Sequence, residues 1–327
     1  MKEIILRVED LRTYFSTKSG LVKAVDGVTF SVAEGETLGI VGESGCGKSV
    51  TALSILRLIP APAGQIIGGK IFLRGEDLLK KSEKEMQKIR GRRISMILQD
   101  PMTSLDPLFT VGDQLAEPIR IHQRDQTTNV LTRVREMLSL VKIPSPETRM
   151  KDYPHQMSGG MRQRIVGAIA LACQPELLIA DEPTTSLDVT IQAQVLSLLK
   201  DIQEKLGVGM ILITHDFGIM AKICHRVAVM YAGKIVETAD VKTLFRHPTH
   251  PYTIALMKSL PKLGAEVERL STIGGQPPDL RHLPKGCSFA PRCSEALDIC
   301  GMEYPPQYEV GNGHHMCCYL AEKGGVS

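Results

Sequence analysis

An eight-residue segment, GESGCGKS from Gly42 to Ser49, matches the pattern G-x-x-x-x-G-K-[ST] in full. The apolar run TLGIV before it predicts a buried strand, and KSVTALSILRLI after it predicts a helix that PAPAG ends. Glycines in such a turn let consecutive backbone N–H groups converge on phosphate oxygens at the positive end of the helix. The segment therefore predicts a phosphate-binding loop, because a chance glycine turn would have to reproduce both the pattern and its context.

The side chains of this loop predict a nucleotide as its ligand. Lys48 can reach the β- and γ-phosphates, and the hydroxyl of Ser49 can bind Mg²⁺. Cys46 is interpreted as a small tolerated residue rather than a reactive thiol, although its backbone is expected to face the ligand. The other predicted nucleotide contacts in this stretch are Gly42, Glu43, Ser44, Gly45, Gly47 and Val50.

A pair of acids follows another apolar run, in LLIADEP. Asp181 is expected to hold Mg²⁺, usually through water, and Glu182 is expected to orient or deprotonate the attacking water. An acid pair after a strand is weak evidence by itself, because a solvated strand end is the ordinary interpretation. Together with the phosphate-binding loop, the pair predicts a site that hydrolyses a nucleotide.

The order of apolar patterns along the chain predicts an α/β fold. Residues 1–40 alternate apolar and polar positions, as short strands do, and helical spacing dominates residues 110–175. LLIAD and GMILITHD are short apolar runs that end in acids, which is typical of central strands in a parallel sheet. The predicted divisions are 1–245 and 246–327, with a helical subdomain at about 100–170 and a Pro/Gly linker at 273–286.

The composition argues against several classes of function. Lys and Arg number 39 against 36 Asp and Glu, so the net charge of +3 gives no strong case for nucleic acid or an anionic membrane. Aromatic residues make up only 4% and Trp is absent, which leaves few rings for base stacking. The start MKEIILRVED lacks signal-peptide features, and no apolar run approaches the roughly 18 residues of a membrane span. We expect a soluble, intracellular chain whose membrane role comes through a partner.

A third motif, MSGGMRQR, begins at Met157, twenty residues before LLIADEP. A serine and two glycines before a helix form another helix N-terminus that can bind an anion. With its motifs in this order, the chain resembles the ATP-binding cassette (ABC) ATPases, whose signature is close to L-S-G-G-Q. Met157 and Met161 depart from that signature, but Ser158, Gly159 and Gly160 are retained.

The resemblance implies roles for single residues elsewhere. Gln99 in MILQDP matches the Q-loop, which senses the γ-phosphate, and His215 in LITHD matches the switch histidine. Asp188 ends the SLD of the D-loop, and Phe15, or alternatively Tyr14, stands where the family stacks a ring on adenine. The implied ligands are ATP and Mg²⁺. The implied catalytic residues are Lys48, Glu182 and His215, and the implied metal contacts are Ser49, Gln99 and Asp181.

The resemblance also implies a mechanism. Two such domains dimerise head to tail, and each ATP lies between the phosphate-binding loop of one chain and Ser158–Gly160 of the other. Closing on ATP and opening after hydrolysis would be the power stroke. Two rival hypotheses remain open: a soluble ABC ATPase that remodels nucleic acid, and a regulatory module whose ATPase is idle.

The later part of the chain indicates which ABC ATPases it resembles. KIVETADV and LFRHPTHPYTIALMKSLP, together with DVTIQAQVLSLL and DPMTSLDPLFTVGDQLAEPI, are similar to the ATPase subunits of oligopeptide, dipeptide and nickel importers. The resemblance implies peptide import, with nickel as the alternative, at the cytoplasmic face of a prokaryotic membrane. The implied partners are a second, homologous ATPase, two transmembrane permease subunits and an extracytoplasmic substrate-binding protein.

Five of the eight cysteines lie in the last 41 residues, with the spacing Cys287-x₅-Cys293-x₆-Cys300-x₁₆-Cys317. A disulfide framework does not suit a chain that meets cytosolic ATP, and structural zinc sites favour closer pairs. Four thiolates can hold a [4Fe–4S] cluster, which the importer group carries at similar positions. Zinc and free thiols stay open as alternatives, as does Cys318 in place of Cys317.

The remaining cysteines and histidines receive structural interpretations. His314 and His315 are expected at the surface rather than as metal ligands. Cys173 and Cys224 lie on apolar helical stretches and are expected to be buried packing residues.

Overall fold

The computed structural model describes residues 2–98, 104–123, 129–184, 188–259 and 272–323. Gln99, expected to sense the γ-phosphate, lies outside the described residues, and so does most of SLD. In chain order the described strands are β1 (Ile4–Thr17), β2 (Gly20–Ala33), β3 (Thr37–Val41), β4 (Gly64–Leu73), β5 (Glu76–Asp77), β6 (Ile94–Ile97), β7 (Leu177–Asp181), β8 (Gly209–Ile213), β9 (Arg226–Tyr231), β10 (Lys234–Asp240), β11 (Tyr308–Gly311) and β12 (His314–Met316). The α-helices are α1 (Lys48–Ile55), α2 (Glu83–Ile89), α3 (Val111–His122), α4 (Val130–Leu140), α5 (Pro146–Arg149), α6 (Gly159–Leu171), α7 (Val189–Leu206), α8 (Phe217–Ile223), α9 (Val241–Arg246) and α10 (Pro251–Lys258).

The chain divides into two compact units that each draw on several stretches of sequence. Unit 1 consists of Met1–Arg7, Ser31–Thr37 and Phe72–Thr214. Unit 2 consists of Val8–Phe30, Leu38–Ile71 and His215–Ser327. The C-terminal residues therefore belong to the same unit as the predicted phosphate-binding loop.

Unit 1 contains a parallel set of strands and a group of helices. β7 pairs in parallel with β6 on one side and with β8 on the other. Both β7 and β8 are buried along their whole length, as their continuous apolar sequences predict. Helices α3, α4 and α6 pack on one another within residues 111–171, in the range where the sequence predicts a helical subdomain.

Unit 2 contains a mixed set of strands that includes the end of the chain. β3 pairs in parallel with β9, whereas β9 and β10 form an antiparallel hairpin. β12 pairs antiparallel with β10, and β11 pairs antiparallel with β12. The Cys-rich tail thus adds two short strands to the edge of β10, a contribution that the sequence pattern did not predict.

A buried polar network fixes this edge. Glu237 of β10 is 1% exposed, and its carboxylate accepts hydrogen bonds from the amide and hydroxyl of Thr249, both at 2.8 Å. The imidazole Nε2 of His314 lies 2.7 Å from the same carboxylate, and the His250 amide donates to it at 3.1 Å. Burial raises the pKa of Glu237, but hydrogen bonds, chiefly from His314, outweigh it, so that the pKa is lowered overall.

The expectation that His314 lies at the surface is wrong. Its side chain is 5% exposed, because a buried carboxylate needs hydrogen-bond donors and β12 brings this imidazole onto it. Cys173 and Cys224 are buried, which confirms that they are packing residues.

A separate finding concerns the membrane. No helix within the described residues is long and apolar enough to cross a bilayer.

Candidate functional site

The predicted phosphate-binding loop lies between β3 and α1 in unit 2, as its sequence indicates. Gly47 caps α1 with φ of 107°, a conformation that favours glycine. A Cβ at Gly47 would lie 2.2 Å from the carbonyl oxygen of Ala24, and one at Gly42 would lie 2.1 Å from that of Met230. Neighbouring backbone therefore requires glycine at both positions, which gives the motif a steric cause.

Lys48 is held over its own loop. Its ammonium group donates to the carbonyl oxygens of Gly42 at 2.9 Å and Glu43 at 3.0 Å, and the residue is 7% exposed. This places a cation at the loop where phosphate charge is expected. Cys46 is 5% exposed, and burial raises the pKa of its thiol, which favours a neutral, unreactive residue over a reactive thiol.

The rest of the loop is more open. Ser44 and Gly45 are exposed, whereas Ser49 and Val50 are half-buried at the start of α1. Exposed amides beside a helix N-terminus suit an anionic ligand. A cavity of about 160 Å³ lies against Glu43–Cys46, with Tyr231 and Pro277 on its other walls.

Two aromatic candidates for adenine stacking differ in their surroundings. The hydroxyl of Tyr14 donates to Asp26 at 2.6 Å, which engages that side chain in the strand pair β1–β2. Phe15 is half-buried and packs over Gly64, where an added Cβ would lie 2.6 Å from its ring. Phe15 therefore keeps a partly open ring without a competing hydrogen bond.

The predicted acid pair belongs to unit 1. Asp181 ends β7, lies opposite Ile213 of β8 and is 3% exposed. Glu182 follows with φ of 45°, and its amide donates to the carbonyl oxygen of Ile213 at 2.9 Å. The left-handed region is uncommon for glutamate, although other non-glycine residues such as Asp10 and Arg57 also adopt it here. Both acids thus lie at the carboxyl end of a parallel strand, where the sequence places them.

The signature motif also belongs to unit 1. Ser158 caps α6, and its hydroxyl accepts a hydrogen bond from the amide of Met161 at 3.3 Å. A Cβ at Gly160 would lie 2.9 Å from a methyl group of Ile191 in α7. Asp188 caps α7 by accepting from the amide of Ile191 at 2.9 Å. Met157 is 4% exposed, so an apolar methionine suits the position that leucine usually holds.

His215 opens the third stretch of unit 2 and is exposed. The next residue, Asp216, caps α8 and accepts from the amide of Gly218 at 2.7 Å. The structure thus holds the phosphate-binding loop, Phe15 and His215 in unit 2. It holds the acid pair, Asp188 and the signature motif, including Gly159, in unit 1.

The cysteines of the tail share one environment. The amide of Cys287 donates to the carbonyl oxygen of Cys300 at 2.8 Å. Burial is the main reason that the pKa of Cys318 is raised to about 11, and Cys287, Cys293 and Cys300 contribute to this rise. Burial also raises the pKa of Cys317 to about 11, and among these thiols only Cys287 contributes. Cys317 and Cys318 are therefore neutral near pH 7, and holding them as thiolates would need a bound cation.

The expected iron–sulfur cluster is not confirmed. Within the described ranges, which contain all the tail cysteines, no group of three or more His, Cys, Asp or Glu side chains is arranged to hold a metal ion. The shared electrostatics fit a metal, but the placed side chains do not form a ligand set.

A groove of about 840 Å³ opens in the helical part of unit 1. Its walls carry three carboxylates, the guanidinium of Arg120 and apolar side chains, and Phe109 and Ile121 are more than half exposed. Leu108 beside it is 80% exposed. The lining includes Asp106, Phe109, Asp113, Gln114, Glu117 and Ile121.

Two residues that sequence patterns did not single out contact the phosphate-binding loop. The Tyr252 hydroxyl accepts a hydrogen bond from the amide of Glu43 at 2.9 Å, and Arg292 forms an ion pair with the Glu43 carboxylate at 2.7 Å. No local motif identifies such partners, because they come from more than two hundred residues away in the chain.

Comparison with known proteins places these features in a family. Residues 25–185 match the ABC transporter family, and residues 236–300 match the oligopeptide/dipeptide transporter C-terminal region. The chain is 53% identical over 322 residues to a probable peptide ABC transporter ATP-binding protein, y4tR, of Sinorhizobium fredii, covering 98% of this chain and 96% of that protein. It is 51% identical over 321 residues to the dipeptide transport ATP-binding protein DppD of Bacillus subtilis, with coverage of 98% and 96%.

A solved structure supports the fold. The dimeric structure of MJ0796, a bacterial ABC transporter cassette, superposes with a TM-score of 0.64 at 25% identity, covering 72% of this chain and 98% of that chain. The α/β fold class that the sequence predicts is therefore confirmed. The chain belongs to the ATP-binding subunits of ABC transporters, in the group with an oligopeptide/dipeptide transporter C-terminal region.

Proposed function

We propose that this chain hydrolyses ATP with Mg²⁺ to energise the import of di- or oligopeptides through a membrane transporter. The observation that carries this proposal is similarity along nearly the whole chain, at 53% and 51% identity, to peptide and dipeptide transport ATP-binding proteins. The C-terminal match to peptide transporters favours peptide over nickel, which remains the alternative cargo.

Nucleotide binding is assigned to the loop and its neighbours in unit 2. The amides of Ser44 to Lys48 would hold the phosphates, with Lys48 leaving its loop carbonyls to neutralise their charge. The hydroxyl of Ser49 would contact Mg²⁺, whose role is to offset charge on the phosphates. Phe15 would stack on adenine, since the hydroxyl of Tyr14 is engaged by Asp26.

Hydrolysis is assigned to residues that the family pattern identifies. Glu182 would accept the proton of the attacking water, and Asp181 and Gln99 would help to hold the metal. His215 would contact the γ-phosphate. Asp188 and the Ser158–Gly160 segment would act across a dimer, so that each nucleotide is completed by a second ATPase subunit. Two different homologous subunits in one transporter are proposed.

The acidic groove of unit 1 is proposed as the docking surface for a cytoplasmic segment of the permease. Exposed Leu108 and Phe109 offer apolar contact. The three carboxylates of the lining outnumber Arg120, so the groove favours a basic partner. Docking there would hold the chain at the cytoplasmic face of the membrane, with an extracytoplasmic binding protein delivering the peptide. Charge reversal by Glu117→Lys should reduce co-purification of the permease, whereas Glu147→Lys on α5 should not.

The tail cysteines are proposed to hold a [4Fe–4S] cluster, with zinc as the alternative. Cys287, Cys293 and Cys300 would be three ligands. Cys318 interacts electrostatically with all three of these thiols and Cys317 with Cys287 alone, so Cys318 is proposed as the fourth ligand, with the Cys317 that the sequence favours as the alternative. The cluster would stabilise the tail, and no step of hydrolysis is assigned to it.

The test is to purify the transporter anaerobically with its membrane subunits. ATP hydrolysis that rises with peptide and its binding protein, and that Lys48→Ala abolishes, is expected. If nickel rather than peptide raises the rate of ATP hydrolysis, the cargo is nickel. If DNA raises it, and the effect falls steeply with salt, the nucleic-acid alternative is favoured. Turnover unchanged by Glu182→Gln would contradict the hydrolytic assignment.

A further inference from the structure

Glu43, the second residue of the phosphate-binding loop, has its amide, carbonyl and carboxylate all engaged. Its carbonyl oxygen accepts from Lys48 at 3.0 Å, and its amide donates to the hydroxyl of Tyr252 at 2.9 Å. Its carboxylate accepts from both terminal nitrogens of Arg292, at 2.7 and 3.0 Å. Two of these three partners come from the C-terminal part of the chain.

Arg292 is fixed in place by more than this ion pair. Its side chain is 4% exposed, and it also donates to the carbonyl oxygen of Gly274 at 2.9 Å and to the hydroxyl of Tyr231 at 3.2 Å. Hydrogen bonding to Glu43 raises the pKa of the guanidinium, so it stays charged. Arg292 ends a 3₁₀ turn that Cys293 follows, and the first residue of the turn, Ala290, donates its amide to the carbonyl oxygen of Cys287 at 3.0 Å.

Aromatic packing joins the same elements. The rings of Tyr231 and Tyr252 lie 4.5 Å apart, and Phe289 lies 5.3 Å from each of them. Tyr252 is fully buried and Phe289 is 2% exposed. The stretch from Cys287 to Cys300, here called the cysteine segment, therefore shares one packed support with the phosphate-binding loop.

We propose that Arg292 is a positioning residue for the phosphate-binding loop, and that it makes the loop's affinity for nucleotide depend on the order of the cysteine segment. The inference rests on the proposed binding of ATP at this loop. An unpaired carboxylate on Glu43 would repel the phosphates, and Arg292 removes that repulsion while it fixes the loop backbone. Because linkage is reciprocal, bound nucleotide also stabilises the cysteine segment.

The first experiment measures the binding of Mg²⁺-ADP to the full chain, purified anaerobically. Arg292→Met should weaken binding about tenfold, and Arg292→Lys should weaken it less because the charge remains. The double variant Glu43→Gln with Arg292→Met should recover to within about threefold of the wild type, since no unpaired carboxylate is left. Arg281→Met is the matched control, because its ion pair with Asp279 lies outside the loop contacts, and it should bind normally.

Wild-type affinity in Arg292→Met would overturn the proposal. A double variant as weak as the single one would overturn it too, because it would reduce Arg292 to a purely structural role. Should Arg292→Met fail to fold, hydrogen exchange in the wild type decides: Mg²⁺-ADP should slow the amides of Cys287 and Cys293 several-fold, and unchanged exchange would refute the linkage. A wild type that binds no nucleotide would instead contradict the proposed function.

Discussion

The phosphate-binding loop and the cysteine segment lie in the same compact unit but owe their shapes to different interactions. The loop is shaped by backbone: Gly42 and Gly47 approach neighbouring carbonyl oxygens so closely that a Cβ does not fit. The cysteine segment is shaped by side chains, namely the buried Cys300 and Phe289 and the ion pair of Arg292. Local steric changes should therefore disrupt the phosphate-binding loop, whereas loss of distant side-chain partners should disrupt the cysteine segment.

The largest expected effect is on ATP hydrolysis, through the lysine of the phosphate-binding loop. Lys48→Ala removes the ammonium group that is proposed to neutralise phosphate charge, and it should lower the rate of ATP hydrolysis by about 10³-fold. The temperature of unfolding should change little, because the ammonium group of Lys48 hydrogen-bonds within its own loop, to two carbonyl oxygens and the sulfur of Cys46. A steady-state ATPase assay with a parallel thermal melt checks both parts, and substantial remaining hydrolysis would contradict the assignment.

A pair of glycine variants tests whether backbone shapes the loop. Gly47→Ala should weaken nucleotide binding about 100-fold, because its Cβ would lie 2.2 Å from a backbone oxygen. Gly45→Ala has a similar positive φ of 78° but nothing within 4 Å of the added Cβ, so it should lose much less. Binding measured by calorimetry compares the two, and equal losses would show that φ alone, rather than the close approach, sets the requirement.

Cysteine variants test the side-chain-shaped region. If the tail holds a cluster, Cys318→Ala should lose bound iron and roughly 3 kcal/mol of stability, while Cys317→Ala should keep the iron. Metal analysis and visible absorbance of anaerobic protein provide the readout. Iron lost only from Cys317→Ala would restore the ligand that the sequence favours, and iron in neither variant nor the wild type would remove the cluster.

The smallest expected effect concerns pH. Burial lowers the pKa of His250 from 6.5 to about 4. Between these two pH values the imidazole is neutral in the folded chain but protonated in the unfolded chain. Stability contributed by this residue is therefore lost as the pH falls from about 6.5 towards 4. Between pH 7 and pH 5 the loss should reach about 2 kcal/mol.

Urea denaturation at the two pH values measures this effect. His250→Asn keeps an acceptor for the cap of α10, where His250 now accepts from the amide of Tyr252, and it should show a flatter pH dependence. If the free energy of unfolding of this variant depends on pH as that of the wild type does, another group causes the acid sensitivity, and Glu237 is the next candidate.

Sequence reasoning succeeded where chemistry is encoded over a few adjacent residues. The strand, loop and helix around Gly42–Ser49 follow from local pattern, as do the cap at Ser158 and the acids after β7. It failed where partners are far apart: it placed His314 at the surface, although β12 carries that residue onto buried Glu237. The two strands of the tail were also missed, because β11 and β12 are only four and three residues long, too short for a periodic pattern to stand out.

The sequence by itself determined the α/β fold and the phosphate-binding loop, because glycine spacing and apolar period act on the backbone locally. The order of its motifs also carried the resemblance to the ABC ATPases. Only the tertiary structure decided that the tail joins β10 and that Arg292 reaches Glu43. The physical reason is that charge and burial depend on distance in space, and residues 43 and 292 become neighbours only when the chain has folded.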